Sequence, residues 1–219
     1  MKLDYYVYVS DAKVEMLFDQ IPRSFLSGTA GELKVNLGIV TSTLKQDSAG
    51  NNRFTKLKTV RSYIEQHFDV GTIDQPGEYF AGTISMRWGP YHGGSELVYF
   101  GGRTADTILG LGGSAGHVLG ARGISGAHSH SATPILVSVL CEGLGLQEPD
   151  GNKQWAQQIG RGRDSNAIAL DAVELATTQM QGPEQTFEFL AKKLLFGSGR
   201  CRGSRQILLG TPLYVSMVE

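Results

Sequence analysis

The sequence predicts an α+β fold: a single domain over residues 1–219, with a mixed, largely antiparallel sheet, a central β-meander, and about four to five helices packed on it. Runs rich in β-forming residues and runs with apolar residues at helical spacing both occur, without the regular βαβ rhythm of a parallel sheet. Short apolar runs between glycine-rich turns fill the middle of the chain. The length of 219 residues, with 41% hydrophobic and 19% charged residues, fits one ordinary globular domain.

The first part of the chain predicts two strands and two helices. Tyr5–Val9 (YYVYV) is rich in β-formers and apolar on both faces, which predicts a first, central strand. Residues 14–21 carry apolar side chains at helical spacing, and Pro22 ends that helix. Residues 37–44 (LGIVTSTL) are predicted as a strand. Residues 54–68 repeat apolar side chains at helical spacing with basic residues between them, which predicts an amphipathic helix.

The middle of the chain predicts the meander. Residues 78–88 (EYFAGTISMRW), 97–101 (LVYFG) and 107–111 (TILGL) are short β-type runs. The turns between them, HGGS and GGRTAD, are rich in glycine. Short strands joined by such turns are typical of consecutive antiparallel hairpins.

The last third predicts three helices and a closing strand. Thr133 and Pro134 suit the N-cap and first position of a helix that runs to about residue 144. A second helix is predicted over residues 166–180. A third is predicted over residues 183–197, because proline and an acidic residue lie at its start, two lysines lie near its end and glycine terminates it. Residues 207–217 close the chain as one strand or two.

Composition limits the class of protein. A formal net charge of −1 provides no global field for nucleic acid, which is therefore an unlikely partner. Cys141 and Cys201 lie far apart, which excludes a disulfide scaffold. No apolar run approaches the ~18 residues that a membrane span needs, and residues 1–10 lack the apolar core of a signal peptide. We therefore expect a cytoplasmic protein with no membrane partner.

One segment contains the pattern of a serine nucleophile. The residues around Ser114 read Gly-Gly-Ser-Ala-Gly and satisfy G-x-S-x-G, so Ser114 is a candidate catalytic residue of a hydrolase. An α/β-hydrolase needs an acid and then a histidine later in the chain, but the last histidine is His130 and no acidic residue lies between the two. The Gly-Ser-Ala-Gly stretch also resembles the elbow of patatin-like enzymes, in which an aspartate such as Asp150 completes a dyad.

The other site signatures are incomplete. His128 and His130 would share one face of a strand and are candidate metal ligands, with His117 as a third. The alternative is a pair of polar, exposed histidines before a helix. The dinucleotide and Walker patterns lack their required partners, and the sequence therefore assigns no cofactor and no metal.

A basic stretch predicts an anion site. Between residues 190 and 209 the chain has no acidic residue and carries Arg200, Arg202 and Arg205 among glycines and serines. Arginine and backbone N–H groups bind phosphate in this combination. If the glycine-rich segment folds against this stretch, Gly112, Gly113 and Ser114 add backbone and hydroxyl donors. The alternative is a solvated surface loop.

Aromatic residues cluster in the middle of the chain. Trp88 and Tyr91 lie among other aromatic residues near glycine turns. Such a cluster forms either ordinary core, a base-stacking pocket or a partner surface.

Five blocks of the sequence resemble a known family. They are YVYVSDAKVEML, YFAGTISMRWGPY, LVYFGG, ILGLGGSAGHVLG and ILLGTPLYV, in this order over nearly the whole chain. Together they are similar to an uncharacterised bacterial family, found in actinobacteria, that is known as a domain of unknown function. The resemblance implies one domain in a bacterial cytoplasm, and it implies no activity, cofactor or site residue.

The leading functional prediction is a cytoplasmic binding module for a phosphorylated small molecule, such as a nucleotide signal. Arg200, Arg202 and Arg205 would hold the phosphate, and Trp88 or Tyr91 would stack on a base. One alternative is a hydrolase that uses Ser114 or a metal at His128 and His130. The other is a protein-interaction subunit without catalysis, as a homo-oligomer or with a different protein.

Overall fold

The computed structural model describes residues 4–28, 49–91, 96–120, 133–143, 163–198 and 205–218. They divide into two compact units, one formed by Met1–Ser10 with Val70–Glu219 and the other by Asp11–Asp69. Within the described residues the chain forms five α-helices and one seven-stranded sheet, which agrees with the predicted number of helices. The single domain over residues 1–219 stays a prediction.

The smaller unit is helical. It contains α1 (Asp11–Phe18), α2 (Arg23–Gly28) and α3 (Ala49–His67), and the periodicity that predicted α1 and α3 is confirmed. Their apolar faces are buried at Val14, Leu57, Val60 and Ile64. Two ion pairs join α1 to α3, one between Asp11 and Arg53 and the other between Glu15 and Lys56. The strand predicted over residues 37–44 lies outside the described residues.

The sheet belongs to the larger unit. Its strands are β1 (Tyr5–Val9), β2 (Val70–Gly71), β3 (Tyr79–Pro90), β4 (Leu97–Arg103), β5 (Thr107–Ser114), β6 (Gln185–Gly197) and β7 (Gln206–Met217). The order is β1-β7-β5-β4-β3-β2, and β6 pairs with both β3 and β7. Strands β3, β4, β5, β7 and β6 therefore close into a five-stranded barrel. The predicted meander of β3, β4 and β5 is present, but it is not an open meander, because β6 closes the ring.

The closing strand corrects the predicted third helix. Residues 185–197 form β6, paired antiparallel with β3 on one side and with β7 on the other. Phe187, Phe189 and Ala191 are fully buried in the barrel core, and the polar residues Thr186 and Glu188 on either side of Phe187 are more exposed. This two-residue period is the strand signal, and two neighbouring strands outweigh the helix-terminus signals at the ends of the segment.

The first and last strands also differ in detail from expectation. The strand β1 is confirmed, but it lies at one end of the strand order and is not central. Strand β7 is one continuous strand of twelve residues. Its first part pairs parallel with β5 as far as Gly210, and its last part pairs antiparallel with β1 from Tyr214 onward. Strands β5 and β1 thus pair with successive parts of the same edge of β7.

Side chains fill the inside of the barrel. Its core consists mainly of large residues that are fully buried: Phe80, Met86, Phe100, Leu109, Leu111, Phe187, Phe189 and Leu208. Burying each such side chain contributes about 1.5–3 kcal/mol. The barrel interior is a packed core.

The two remaining helices cover the outside of the barrel. They are α4 (Thr133–Gly143) and α5 (Arg163–Gln179), close to their predicted ranges. Their apolar side chains form a second core with the outward side chains of β4, β5 and β7. The Tyr99 hydroxyl lies 2.9 Å from the Thr177 hydroxyl of α5. Within the described part of the chain, no helix has the length and apolar character of a membrane span.

Candidate functional site

Gly112 and Gly113 lie in strand β5, so the predicted glycine-rich loop is wrong for residues 112–114. A Cβ on Gly112 would lie 2.4 Å from Leu136 of α4, and one on Gly113 would lie 2.2 Å from the Tyr8 hydroxyl. The two glycines thus allow close packing on opposite faces of β5, against the helix layer and inside the barrel. Their backbone in this strand pairs with β4.

Ser114 is the last residue of β5. Its side chain is buried, with 7% of the residue exposed, and its backbone is ordinary extended chain at φ −68° and ψ 132°. The hydroxyl oxygen accepts a hydrogen bond of 3.4 Å from the Gly116 N–H, at a short 3₁₀ turn over Ala115–His117. A nucleophile elbow instead exposes its serine on a strained turn. In the described part of the chain, no histidine or carboxylate donates to or accepts from this hydroxyl.

His128 and His130 lie outside the described residues. His117 is half-buried, and its ring packs edge-to-face against Tyr8 at 6.0 Å between centroids. Across the residues that the structure describes, no three His, Cys, Asp or Glu side chains form a group that could hold a metal.

Both aromatic candidates, Trp88 and Tyr91, pack against other side chains of the larger unit. The Trp88 ring stacks on Phe100 inside the barrel at 5.5 Å, and its N–H donates to the Gln185 side chain at 3.0 Å. Tyr91 is buried on the other face of the sheet, and its hydroxyl donates to the Leu140 carbonyl at 3.0 Å. Burial raises the pKa of Tyr91 to about 12. Both contacts match the core interpretation of this cluster.

Arg205 lies at one end of the barrel. It is exposed, precedes β7 directly, and its Nε donates to the Ala105 carbonyl in the β4–β5 turn at 3.1 Å. The N–H of Gln206 donates to the Asp106 carbonyl of the same turn at 2.8 Å. We call this end of the barrel, formed by Arg103, the β4–β5 turn, Gly197 and Arg205, the arginine end.

Among the described candidates, Gly112, Gly113 and Ser114 lie toward the opposite end of β5 from Arg205. Thr107 and Ser114 are the two ends of the eight-residue strand β5, and Thr107 pairs with Gln206 at the arginine end. At ~3.3 Å per residue, Ser114 therefore lies on the order of 23 Å from that end. Trp88 and Tyr91 lie near the same end as Ser114, because β3 ends where β4 begins. Arg200 and Arg202 lie outside the described residues.

Sequence reasoning missed Arg103. It is the last residue of β4, is exposed, and pairs with Ile108 of β5. Neither Arg103 nor Arg205 forms an ion pair with a carboxylate among the described residues. The signal for Arg103 is its position: it follows two glycines at the end of an apolar strand, directly before a turn that contains Asp106.

A hydroxyl group organises the turn at the arginine end. The Thr104 hydroxyl donates to the Asp74 carboxylate at 2.6 Å. It also accepts from the backbone N–H groups of Asp106 and Thr107, at 3.2 Å and 2.9 Å. These bonds fix the β4–β5 turn to the loop between β2 and β3. They also occupy the two N–H groups of the turn that would otherwise be available to an anion.

Comparisons with known proteins identify a family for the chain but no function. Neither the curated proteins nor the solved structures contain a match. The model of one family, described as a family of unknown function (DUF7019), matches residues 4–219. This match confirms the resemblance to an uncharacterised family over nearly the whole chain, and the bacterial source stays a prediction. The chain belongs to the DUF7019 family of unknown function.

Proposed function

We propose that the protein is a cytoplasmic binding module for a phosphorylated small molecule, such as a nucleotide signal, which binds at the arginine end. The hydrogen bonding of Arg205 is the observation that supports this proposal. Its Nε is held by the Ala105 carbonyl, while its terminal nitrogens form no ion pair with a described carboxylate. A guanidinium has five N–H donors, so an arginine fixed through Nε still has four donors for an anion.

The sequence beside Arg205 supports the same chemistry. Arg200 and Arg202 lie five and three positions before it, and the chain has no acidic residue from 190 to 209. Arginine binds phosphate oxygens in pairs of parallel hydrogen bonds, which gives both affinity and orientation. Three arginines in six residues therefore suit a phosphate better than a single carboxylate.

The proposal assigns the phosphate contact to arginines alone. Gly112, Gly113 and Ser114 belong to the opposite half of β5, and Trp88 and Tyr91 lie near Ser114. None of these five residues is near enough to Arg205 to contact the same phosphate. A role for them in ligand binding would need a separate surface.

The hydrolase alternative has no observation in its favour at Ser114, where the described residues supply no base. It has a direct test all the same. Covalent labelling by a fluorophosphonate, lost in Ser114→Ala, would favour a serine hydrolase over a binding module. We expect no labelling.

A thermal-shift screen tests the proposal. Nucleotides, cyclic nucleotides and sugar phosphates are compared with their unphosphorylated parents. A ligand at 100 times its Kd adds about 2.7 kcal/mol, which raises the Tm of a chain this size by about 5–11 °C. We expect such a rise for a phosphorylated compound and none for its parent.

A charge-matched control makes the screen specific. The triple variant Arg200→Ala, Arg202→Ala and Arg205→Ala should lose the rise in Tm. A second triple variant, Arg23→Ala, Lys58→Ala and Arg61→Ala, removes the same charge from α2 and α3 and should keep it. Equal loss in both variants, or no phosphate-dependent rise in the unaltered protein, would overturn the proposal.

A further inference from the structure

We propose that Arg103 joins Arg205 in the phosphate contact, and that the arginine end selects a phosphate monoester over a carboxylate. This inference rests on the proposed function and assigns a residue and a ligand preference to its site.

Arg103 and Arg205 both lie beside the β4–β5 turn. Arg103 pairs with Ile108 of β5, and Ile108 pairs with Ile207 of β7. Both isoleucines belong to the core under α4 and α5, so this row of residues faces outward from the barrel. Arg205 lies two residues before Ile207, directly outside β7, and its Nε donates to the Ala105 carbonyl in the turn that follows Arg103.

The two arginines are also close enough to share one ligand. From Arg103 to Arg205 the sheet spans two strand spacings of ~4.8 Å and two residues of ~3.3 Å. The two Cα atoms are therefore about 12 Å apart. Two extended arginine side chains reach across that gap to a single anion.

The charges and donors at this end determine which anion fits. Both guanidinium groups lack a described carboxylate partner, and the turn between them has its N–H groups of Asp106 and Thr107 bonded to Thr104. These two N–H groups are therefore not available to an anion, and we assign its binding to the arginine side chains. A carboxylate has two oxygens and satisfies one guanidinium in bidentate fashion, whereas the three terminal oxygens of a phosphate monoester accept from two.

The charge of Asp106 offers a second test of anion binding at this site. This residue is exposed in the turn that joins the strands of Arg103 and Ile108, and Arg205 donates to the carbonyl of the preceding residue. Its negative charge opposes an anion bound there. Asp106→Asn should therefore increase the affinity for phosphate, and a merely solvated surface gives no such increase.

The experiment is a calorimetric titration of the full chain with inorganic phosphate and, at equal ionic strength, with acetate. We expect Arg103→Ala and Arg205→Ala each to weaken phosphate binding by about tenfold or more. Arg103→Lys should recover only part of the affinity, since lysine cannot bind in bidentate fashion. Acetate should bind more weakly than phosphate, and Lys58→Ala should bind phosphate like the unaltered protein.

The outcomes separate this inference from the proposed function. If Arg205→Ala abolishes binding and Arg103→Ala binds phosphate normally, Arg103 is not part of the site and the proposed function stands. Acetate binding equal to phosphate binding would overturn the ligand preference. If neither inorganic phosphate nor any phosphorylated compound of the thermal-shift screen binds, both the proposed function and this inference are wrong.

Discussion

Tyr99 occupies the space that a side chain at Gly110 would need. A Cβ on Gly110 would lie 2.1 Å from the Tyr99 hydroxyl oxygen and 2.9 Å from Val173 of α5. The ring has little freedom to move aside, because the Tyr99 hydroxyl is bonded to Thr177. The absence of a side chain at Gly110 is therefore a packing requirement between β5 and α5.

We expect Gly110→Ala to lower the free energy of unfolding by about 1–3 kcal/mol, as overpacked cores do. Gly89→Ala is the matched control, because a Cβ on Gly89 has nothing within 4 Å. Alanine there should leave the free energy unchanged or raise it slightly. Urea denaturation of both variants measures the difference, and equal values for the two would contradict this account of β5.

Loss of the Thr104 hydroxyl should also have a measurable effect on the free energy of unfolding. Thr104→Val removes the bond to Asp74 and leaves two backbone N–H groups of the turn without their acceptor. We expect a loss of about 1–3 kcal/mol in the free energy of unfolding. Thr83→Val, at an exposed position of β3, should cost little. A similar loss in both variants would mean that the turn does not depend on this hydroxyl.

Residue type alone did not reveal what the glycines of β5 do. The sequence shows glycines beside a serine, a pattern that suits ligand binding as well as close packing. The groups that decide between these two uses, Tyr8 for Gly113 and Leu136 for Gly112, lie elsewhere in the sequence. The predicted phosphate donors at Gly112, Gly113 and Ser114 assumed that the segment folds against Arg205, which the length of β5 prevents.

At the level of elements, local signals were sufficient where one segment determines its own structure. The helical spacing of α1 and α3 and the short apolar runs of β3, β4 and β5 were read correctly. The strand β6 was not, because its ends carry charges and glycine that also suit a helix. The alternation of polar and apolar residues over Thr186, Phe187, Glu188 and Phe189 was the available signal. It becomes decisive only when β3 and β7 pair with the segment.

The role of β6 in closing the barrel predicts which of its phenylalanines matters. Phe187 is fully buried and contacts Trp88 and Phe100, whereas Phe196 is 40% exposed. We expect Phe187→Ala to cost about 3–5 kcal/mol, as for other buried phenylalanines. Phe196→Ala should cost much less. If residues 185–197 formed the helix that the sequence suggested, this order would have no basis. Chemical denaturation of the two variants gives the comparison.

For the whole molecule, buried tyrosines link stability to alkaline pH. Burial raises the pKa of Tyr99 above its ordinary value, and burial raises that of Tyr91 to about 12. In the unfolded chain both phenols ionise at their ordinary pKa of about 10. The unfolded state therefore releases protons first, and the free energy of unfolding should fall as the pH rises above 10.

We expect Tyr99→Phe to reduce the slope of this fall between pH 10 and pH 12, because one phenol no longer ionises on unfolding. At pH 8 the same variant should be less stable than the unaltered protein, since it lacks the bond to Thr177. Tyr5→Phe, at a residue that is 69% exposed, should keep the original slope. The urea midpoints of the unaltered protein and of the two variants are measured at several pH values. An unchanged slope in Tyr99→Phe would assign the alkaline fall to other groups.

Three of the other six strands complete their pairing only when β7 is in place. The first strand in sequence order pairs with β7, and so do β5 and β6. During synthesis on a ribosome, the barrel therefore cannot close until β7 has emerged. Until then, β1, β5 and β6 each have a backbone edge without its partner strand. Such contacts between distant parts of a chain make folding slow. A translation product that stops before residue 206 would expose three strand edges at once, which is the surface that drives aggregation of incomplete chains.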